Sequence, residues 1–200
     1  MNWALFIGSF WFVSLIPGLN MTLALGLGMS LGFARVQPLL AGATLGVGIV
    51  AWICALFAGF VLSLNPLIFR VFTTICALYL LYLAYKMFRG SRHKNLDANT
   101  AQIRRKELFW QGITCSISNP KAWAFFVSLI PPFLDPANPF GTRLYALIGV
   151  MMAIEYFDLV LYALGGFAFK RLLSEKAYLL ERVSAVLIGI LAILMLLGKF

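Results

Sequence analysis

Charged side chains are scarce in this chain of 200 residues. They make up 12% of it, whereas 62% of the residues are hydrophobic, and the mean hydropathy is +0.92. This composition excludes a soluble globular domain, in which charged residues are about twice as frequent. A helix that crosses a membrane needs about 20 apolar residues, so a chain of this length allows roughly six spans with short loops. The composition therefore predicts an all-α integral membrane protein.

Acidic residues, histidine and cysteine are also few. Seven acidic against sixteen basic residues give a net charge of +9, but the basic residues lie between apolar runs, which favours cytoplasmic loops over a nucleic-acid partner. No apolar run contains a histidine, an H-E-x-x-H pattern or a serine with a recognisable base. We therefore expect no metal site, no cofactor and no enzyme. The cysteines all fall in apolar runs, which argues against disulfides: Cys54, Cys76 and Cys115.

One long polar segment divides the chain. Seven of the sixteen Lys and Arg residues fall between Lys86 and Lys106. We predict a basic cytoplasmic loop at 87–107, with a three-helix unit at 1–86 before it and another at 108–200 after it. The positive-inside rule then places both termini outside the cytoplasm, that is, in the periplasm. The N-terminal residues lack a basic region of the kind that begins a signal peptide, so we interpret them as part of a retained first span.

The first apolar run, from about Trp3 to Gly26, contains a Pro-Gly pair at Pro17 and Gly18. Proline removes a helical hydrogen bond and glycine adds backbone freedom, so the pair favours a bend or an unwound turn. Asn20 follows the pair and can pair with the freed backbone groups. An ordinary proline kink is an equally good interpretation.

A second interruption lies in the run from Gly112 to Pro132, where Asn119, Pro120 and Lys121 are consecutive. Asparagine is a good helix N-cap and proline is favoured at the first helical position. We predict that a half-helix begins here in the middle of a span. Its first turn would combine the positive end of the helix dipole with Lys121 and could hold a carboxylate. The alternative is a proline kink in which Lys121 pairs with an acid for structural reasons.

Two acids lie within the predicted fifth span, about 143–169. Glu155 and Asp158 are three residues apart and Tyr162 is four further on, so all three share one helix face. At about 1.5 Å per residue, Glu155 and Lys121 lie at similar depths in the membrane.

A charged side chain at that depth costs at least about 2.5–3.5 kcal/mol, so such groups usually face a transport pathway. Lys121 neutralises one acid only, and the other must be protonated, hydrated or paired with a substrate amine or an ion. A static bridge beside a protonated acid is the alternative.

The two interruptions give the predicted halves a common plan. Each half has three spans and begins with a broken helix, and an odd number of spans makes the halves opposite in orientation. Paired broken helices in an inverted repeat are typical of secondary transporters with a site at the membrane midplane. A channel would share this topology. A structural or assembly protein would need neither paired breaks nor buried charges.

These motifs resemble the LysE/RhtB family of bacterial amino-acid exporters. The resemblance lies in SLIPGLNM before a glycine-rich span, in Leu80–Lys86 before the basic loop, and in GITCSISNPKAWAFF with a later PPF. It implies six spans in the bacterial inner membrane and export of small amino acids driven by proton influx. The acid at Asp158 matches the family, which makes it the first candidate for proton coupling. The chain departs from the family at Leu19, where Pro-Gly-Pro is usual, and near Gly48, where many members carry an acid.

The sequence hypothesis is a secondary transporter that exports amino acids or related small zwitterions by proton antiport. The substrate carboxylate would dock at the start of the second half-helix, and its amine would meet Glu155 or Asp158. The expected partners are the substrate, protons and membrane lipids, and a homo-oligomer is compatible with the sequence. The predicted substrate-binding residues are Pro17, Gly18, Asn20, Asn119, Pro120, Lys121, Glu155 and Tyr162; the predicted proton-coupling residues are Asp158 and Glu155.

Overall fold

A computed structural model describes most of the chain between residues 3 and 165. The described residues are 3–16, 18–64, 66–89, 104–135, 137–165, 182, 185–186, 189–190, 192–194 and 196–197. Pro17, most of the predicted basic loop and much of the predicted sixth span, about 183–197, lie outside the described residues.

Helices account for nearly all of the described secondary structure. They are α1 (Trp3–Ser14), α2 (Leu19–Leu31), α3 (Phe33–Leu64), α4 (Pro66–Phe88), α5 (Arg105–Ile117), α6 (Pro120–Leu129) and α7 (Thr142–Leu164). A 3₁₀ turn, Pro131–Phe133, follows α6. Between α2 and α3 the chain turns at Gly32, whose φ of +82° lies in the left-handed region that favours glycine.

Several of these helices have the length and composition to cross a membrane. Within the described residues, α3 over Phe33–Val61 and the whole of α7 each pass as a single span. Together α1 and α2 pass as one span that is bent by 57° at its break, while α4 contains a shorter apolar stretch, Arg70–Tyr82. The described part of the chain is thus all-helical, and two of its helices, or three spans if the bent pair counts as one, are long and apolar enough to cross a membrane. The six-span inverted repeat stays a prediction.

Both predicted helix interruptions are present in the backbone. The first separates α1, which ends at Ser14, from α2, which begins at Leu19. The second separates α5, which ends at Ile117, from α6, which begins at Pro120.

One predicted span end was misplaced. The helix after the first break continues to Leu31, beyond the predicted end at Gly26, because Leu27 and its neighbours are buried against α7. At the other end of the chain, α7 extends to Leu164 with Gly165 as its cap, and the predicted end of the fifth span, at about Phe169, lies outside the described residues.

Small residues let α5 pack directly against the backbone of α3. A Cβ atom added at Gly46 would lie 2.6 Å from the Cβ of Ser116, and one added at Gly112 would clash with the backbone of Leu39 and Ala43. Such glycines allow two helices to approach to backbone contact. This seam of Gly42, Gly46 and Gly112 carries Ser116 into the middle of the molecule.

The core consists of two apolar clusters with polar side chains between them. Along α3, residues of one cluster end at Ala43 and those of the other begin at Val47; along α7, one ends at Met151 and the other begins at Leu159. Among the described residues, seven polar side chains are buried, and five of them fall in the intervals between the clusters. We call these five the polar layer: Asn20, Thr44, Ser116, Glu155 and Asp158.

Candidate functional site

A cavity joins the two helix breaks at the level of the polar layer. It lies between α1, α2, α3, α6 and α7, and about 70 Å³ of it is open to the centre of a water-sized molecule. Four residues that the sequence predicted for the site line this cavity: Gly18, Asn20, Asn119 and Glu155. They come from both breaks and from α7, so the fold brings together segments that are more than 130 positions apart.

Asn20 is the centre of a buried hydrogen-bond network. Its Nδ2 donates to Oε1 of Glu155 at 3.1 Å and to Oγ of Ser116 at 2.9 Å. Ser116 in turn donates to the carbonyl of Ala43 at 2.8 Å. The Oδ1 of Asn20 is buried and has no hydrogen-bond partner in the described structure. Since an unpaired buried acceptor is costly, Oδ1 and the carboxylate of Glu155 together favour a ligand with several N–H donors.

Asp158 occupies a different position from Glu155, although both lie on α7. Its carboxylate is completely buried and accepts hydrogen bonds from Nε1 of Trp11, at 3.0 Å, and from Oγ of Ser14. Asp158 is not among the residues that line the cavity, whereas Ser14 is. The side chain of Ser14 therefore separates Asp158 from the cavity.

Tyr162 contacts the first break and not the cavity. Its hydroxyl donates to the carbonyl of Leu15 at 2.7 Å. That carbonyl lies just beyond the last residue of α1, where the helical hydrogen-bond pattern ends. A backbone group freed inside a membrane needs such a partner.

The second break is closed by groups that are near in sequence. The carbonyl of Asn119 accepts from the backbone N–H of Ala122 and of Trp123, as expected for the residue that precedes a helix. The indole Nε1 of Trp123 donates to the carbonyl of Ile117 at 2.6 Å. Lys121 lies in the first turn of α6, but its side chain and that of Pro120 lie outside the described part of the molecule.

The remaining cavity wall is apolar. Phe10, Phe125 and Phe126 are buried and form pairs with ring centroids 5.9–6.4 Å apart. Among the described side chains that line the cavity, Glu155 is the one with a charge. The described residues contain no group of three His, Cys, Asp or Glu side chains that could hold a metal ion.

Four residues in the polar layer or in contact with it were not predicted as site residues. Two of them, Thr44 and Ser116, belong to the layer, and the other two, Trp11 and Ser14, donate hydrogen bonds to Asp158. Ser116 offered a sequence signal, because it lies four residues after Gly112 on the small-residue face of α5. Trp11 offered none, since tryptophan in an apolar helix usually faces lipid or core.

A partly polar cavity between two helix breaks is the kind of site that membrane transporters use. The chain belongs to the family of LysE type translocators, whose sequence profile matches residues 11–199. This confirms the resemblance, and the protein is a membrane transporter and not an enzyme.

Curated relatives match most of the chain. An uncharacterised membrane protein of Pseudomonas aeruginosa is 30% identical over 148 residues, which cover 72% of this chain and 68% of the relative. A leucine efflux protein of Enterobacter is 26% identical over 94% of this chain and 90% of its own length. A cysteine/O-acetylserine efflux protein of Salmonella paratyphi A is 26% identical over 91% and 93%. No solved structure matches the chain.

Proposed function

We propose that this protein exports small zwitterionic amino acids with an uncharged side chain from the cytoplasm, by proton antiport. One observation carries the proposal: Glu155 and Asn119 line the same cavity. Glu155 is the one acidic residue among the described lining residues, and Asn119 lies at the start of α6, after the second helix break. These are partners for the two charged groups of an amino acid. The names of the relatives, a leucine and a cysteine/O-acetylserine efflux protein, support the same substrate class.

The amine end of the substrate would bind beside Asn20. An ammonium group has three donors, and the carboxylate of Glu155 and the unpaired Oδ1 of Asn20 are acceptors in the same network. Because Glu155 is only 6% exposed, its charge is weakly screened and strengthens the contact.

The carboxylate end would bind at the start of α6. Its first turn presents the positive end of the helix dipole, and Lys121 is its second residue. Asn119, at the boundary, lines the cavity and contributes a side-chain donor. Gly18, and with it the Pro17-Gly18 break, would form the opposite wall.

The aromatic wall would bind the substrate side chain. Phe10, Phe125 and Phe126 offer neither a hydrogen-bonding group nor an opposite charge to a second carboxylate or a second ammonium group. An acidic substrate would also place its extra carboxylate near Glu155. We therefore expect leucine-like or cysteine-like compounds to be preferred over lysine and glutamate.

The coupling step would use the acids of α7. Protonation of Asp158 or Glu155 would weaken the attraction for the substrate ammonium and reset the site. A membrane potential of 100 mV adds about 2.3 kcal/mol per charge moved, which corresponds to roughly fiftyfold accumulation.

The proposed topology that accompanies this function has six spans in the bacterial inner membrane. They form two inverted units, at 1–86 and 108–200, and both termini lie in the periplasm.

Proteoliposomes loaded with labelled leucine, cysteine, lysine or glutamate test this proposal. With an imposed proton gradient, we expect saturable efflux of leucine or cysteine. Glu155→Gln should lower it roughly thirtyfold or more, which corresponds to about 2 kcal/mol for a hydrogen bond to a charged group. Glu107→Gln is the matched control, because Glu107 is exposed and caps the start of α5 through a contact that glutamine can also make. Unsaturable efflux that ignores the gradient would identify a channel, and no efflux of any of the four compounds would reject amino-acid export.

A further inference from the structure

We propose that Ser14 is a proton relay between the cavity and Asp158. This inference rests on the proposed proton antiport and assigns a role to a residue that has none in the hypothesis above. Asp158 is fully buried and does not line the cavity, while Ser14 lines it and donates to the Asp158 carboxylate. A proton that reaches Asp158 from the cavity therefore meets the Ser14 hydroxyl first.

The contacts of Ser14 suit both protonation states of Asp158. Its Oγ has one proton and two acceptors within reach, the Oδ2 of Asp158 and the backbone carbonyl of Trp11 at 3.0 Å. When Asp158 is ionised, Ser14 donates to it. When Asp158 is protonated, Asp158 donates to Oγ and Ser14 donates to the Trp11 carbonyl. A hydroxyl can donate and accept at once, so Ser14 is a partner for the buried Asp158 in either protonation state.

The transfer balances without any further reactant. A hydronium ion in the cavity gives a proton to a lone pair of Ser14 Oγ, and the original Ser14 proton passes to Oδ2 of Asp158. One water molecule stays in the cavity, Ser14 is unchanged, and the carboxylate becomes a neutral carboxylic acid. The reverse sequence releases the proton when the cavity opens to the other side.

The other described groups around Asp158 do not provide a second route for the proton. The indole of Trp11 is a donor only, and it holds Oδ1. Tyr162 shares the helix face, but its hydroxyl proton is committed to the carbonyl of Leu15. The remaining titratable groups nearby in the described structure are Glu155, one turn away and bonded to Asn20, and Cys115 on α5 near Glu155.

Two assays on reconstituted protein separate a relay from a structural brace. Net efflux driven by a proton gradient requires net proton movement, whereas exchange of labelled for unlabelled leucine at equal pH does not. Positioned proton transfer contributes about 100-fold or more to rates, so we expect the ratio of net efflux to exchange to fall at least tenfold in Ser14→Ala. Ser14→Thr, which keeps the hydroxyl, should restore the ratio. Ser30→Ala should leave it unchanged, since that serine bonds its own helix at Gly26 and lies outside the cavity.

A second variant guards against a folding defect in Ser14→Ala. Asp158→Asn keeps an acceptor for Trp11 and gains a donor for Ser14, but cannot take up a proton. We expect it to show the same loss of the ratio.

Three results would decide against the relay or against antiport itself. An unchanged ratio in Ser14→Ala or in Asp158→Asn would overturn the relay. Equal losses of both activities, without rescue by threonine, would instead identify a brace between α1 and α7. If amino-acid efflux by the native protein does not depend on a proton gradient, the proposed antiport is rejected. That result comes from the native protein alone, without the variants.

Discussion

Replacing Gly112 by alanine tests the close packing that positions the polar layer. The added Cβ would lie 2.6 Å from the backbone nitrogen of Ala43 and closer still to the carbonyl oxygen of Leu39. Both are backbone atoms of α3, which cannot rotate away as a side chain can. The two helices must therefore separate, and the shift carries Ser116 away from the Ala43 carbonyl, which its hydroxyl contacts at 2.8 Å.

The expected size of the effect follows from three contributions. Overpacking in a tight interface costs about 1–3 kcal/mol. Weakening the two hydrogen bonds of Ser116 costs about 1–2 kcal/mol more. Alanine returns about 1 kcal/mol through its higher helix propensity. The net destabilisation of Gly112→Ala should be about 1–4 kcal/mol.

Gly149→Ala is the matched control, because a Cβ there meets no atom within 4 Å. It should be neutral or stabilising by up to about 1 kcal/mol, through helix propensity alone. Thermal unfolding of both variants in the same detergent gives the comparison, at about 2–4 °C per kcal/mol for a chain of this length. A Gly112→Ala protein as stable as the native one, or two variants shifted in the same direction, would show that the seam is not packed as described.

Three further substitutions have expected outcomes for stability. Tyr162→Phe leaves the carbonyl at the first break unpaired and should cost about 1–2 kcal/mol, whereas Tyr156→Phe removes an exposed bond and should cost less than half as much. Equal losses on melting would contradict this. Thr44→Val removes a buried hydroxyl without a partner in the described structure and should change stability by less than about 1 kcal/mol or increase it; a larger loss in chemical unfolding would reveal a hidden partner. Arg143→Gln breaks an ion pair with Asp135 whose side chains are 37% and 35% exposed, so the loss should be under about 0.5 kcal/mol and disappear in high salt.

The helix breaks could be predicted from the sequence because their causes are local. Proline and glycine at 17–18, and asparagine and proline at 119–120, alter the backbone wherever they occur. The shared face of Glu155, Asp158 and Tyr162 follows from helical periodicity in the same way. These features needed no knowledge of other helices.

The sequence did not predict that the two acids on that face have different surroundings. Glu155 faces the cavity while Asp158 faces the end of α1, because α1 and α2 meet α7 on either side of the first break. Which acid faces which helix depends on how the break is oriented. The partners of both acids, Asn20, Trp11 and Ser14, are at least 135 positions away in sequence, and no local pattern pairs them.

The two breaks also differ in how far along the chain their partners lie. At the second break, Trp123 reaches a carbonyl six positions earlier; at the first, Tyr162 reaches Leu15 across 147 positions. During synthesis the second break is complete as soon as its own segment has been made. The first must rely on water or on temporary partners until α7 enters the membrane, because a backbone carbonyl cannot stay unpaired in lipid. The first break is therefore synthesised before the second but acquires its final hydrogen bond, from Tyr162, after the second break is complete.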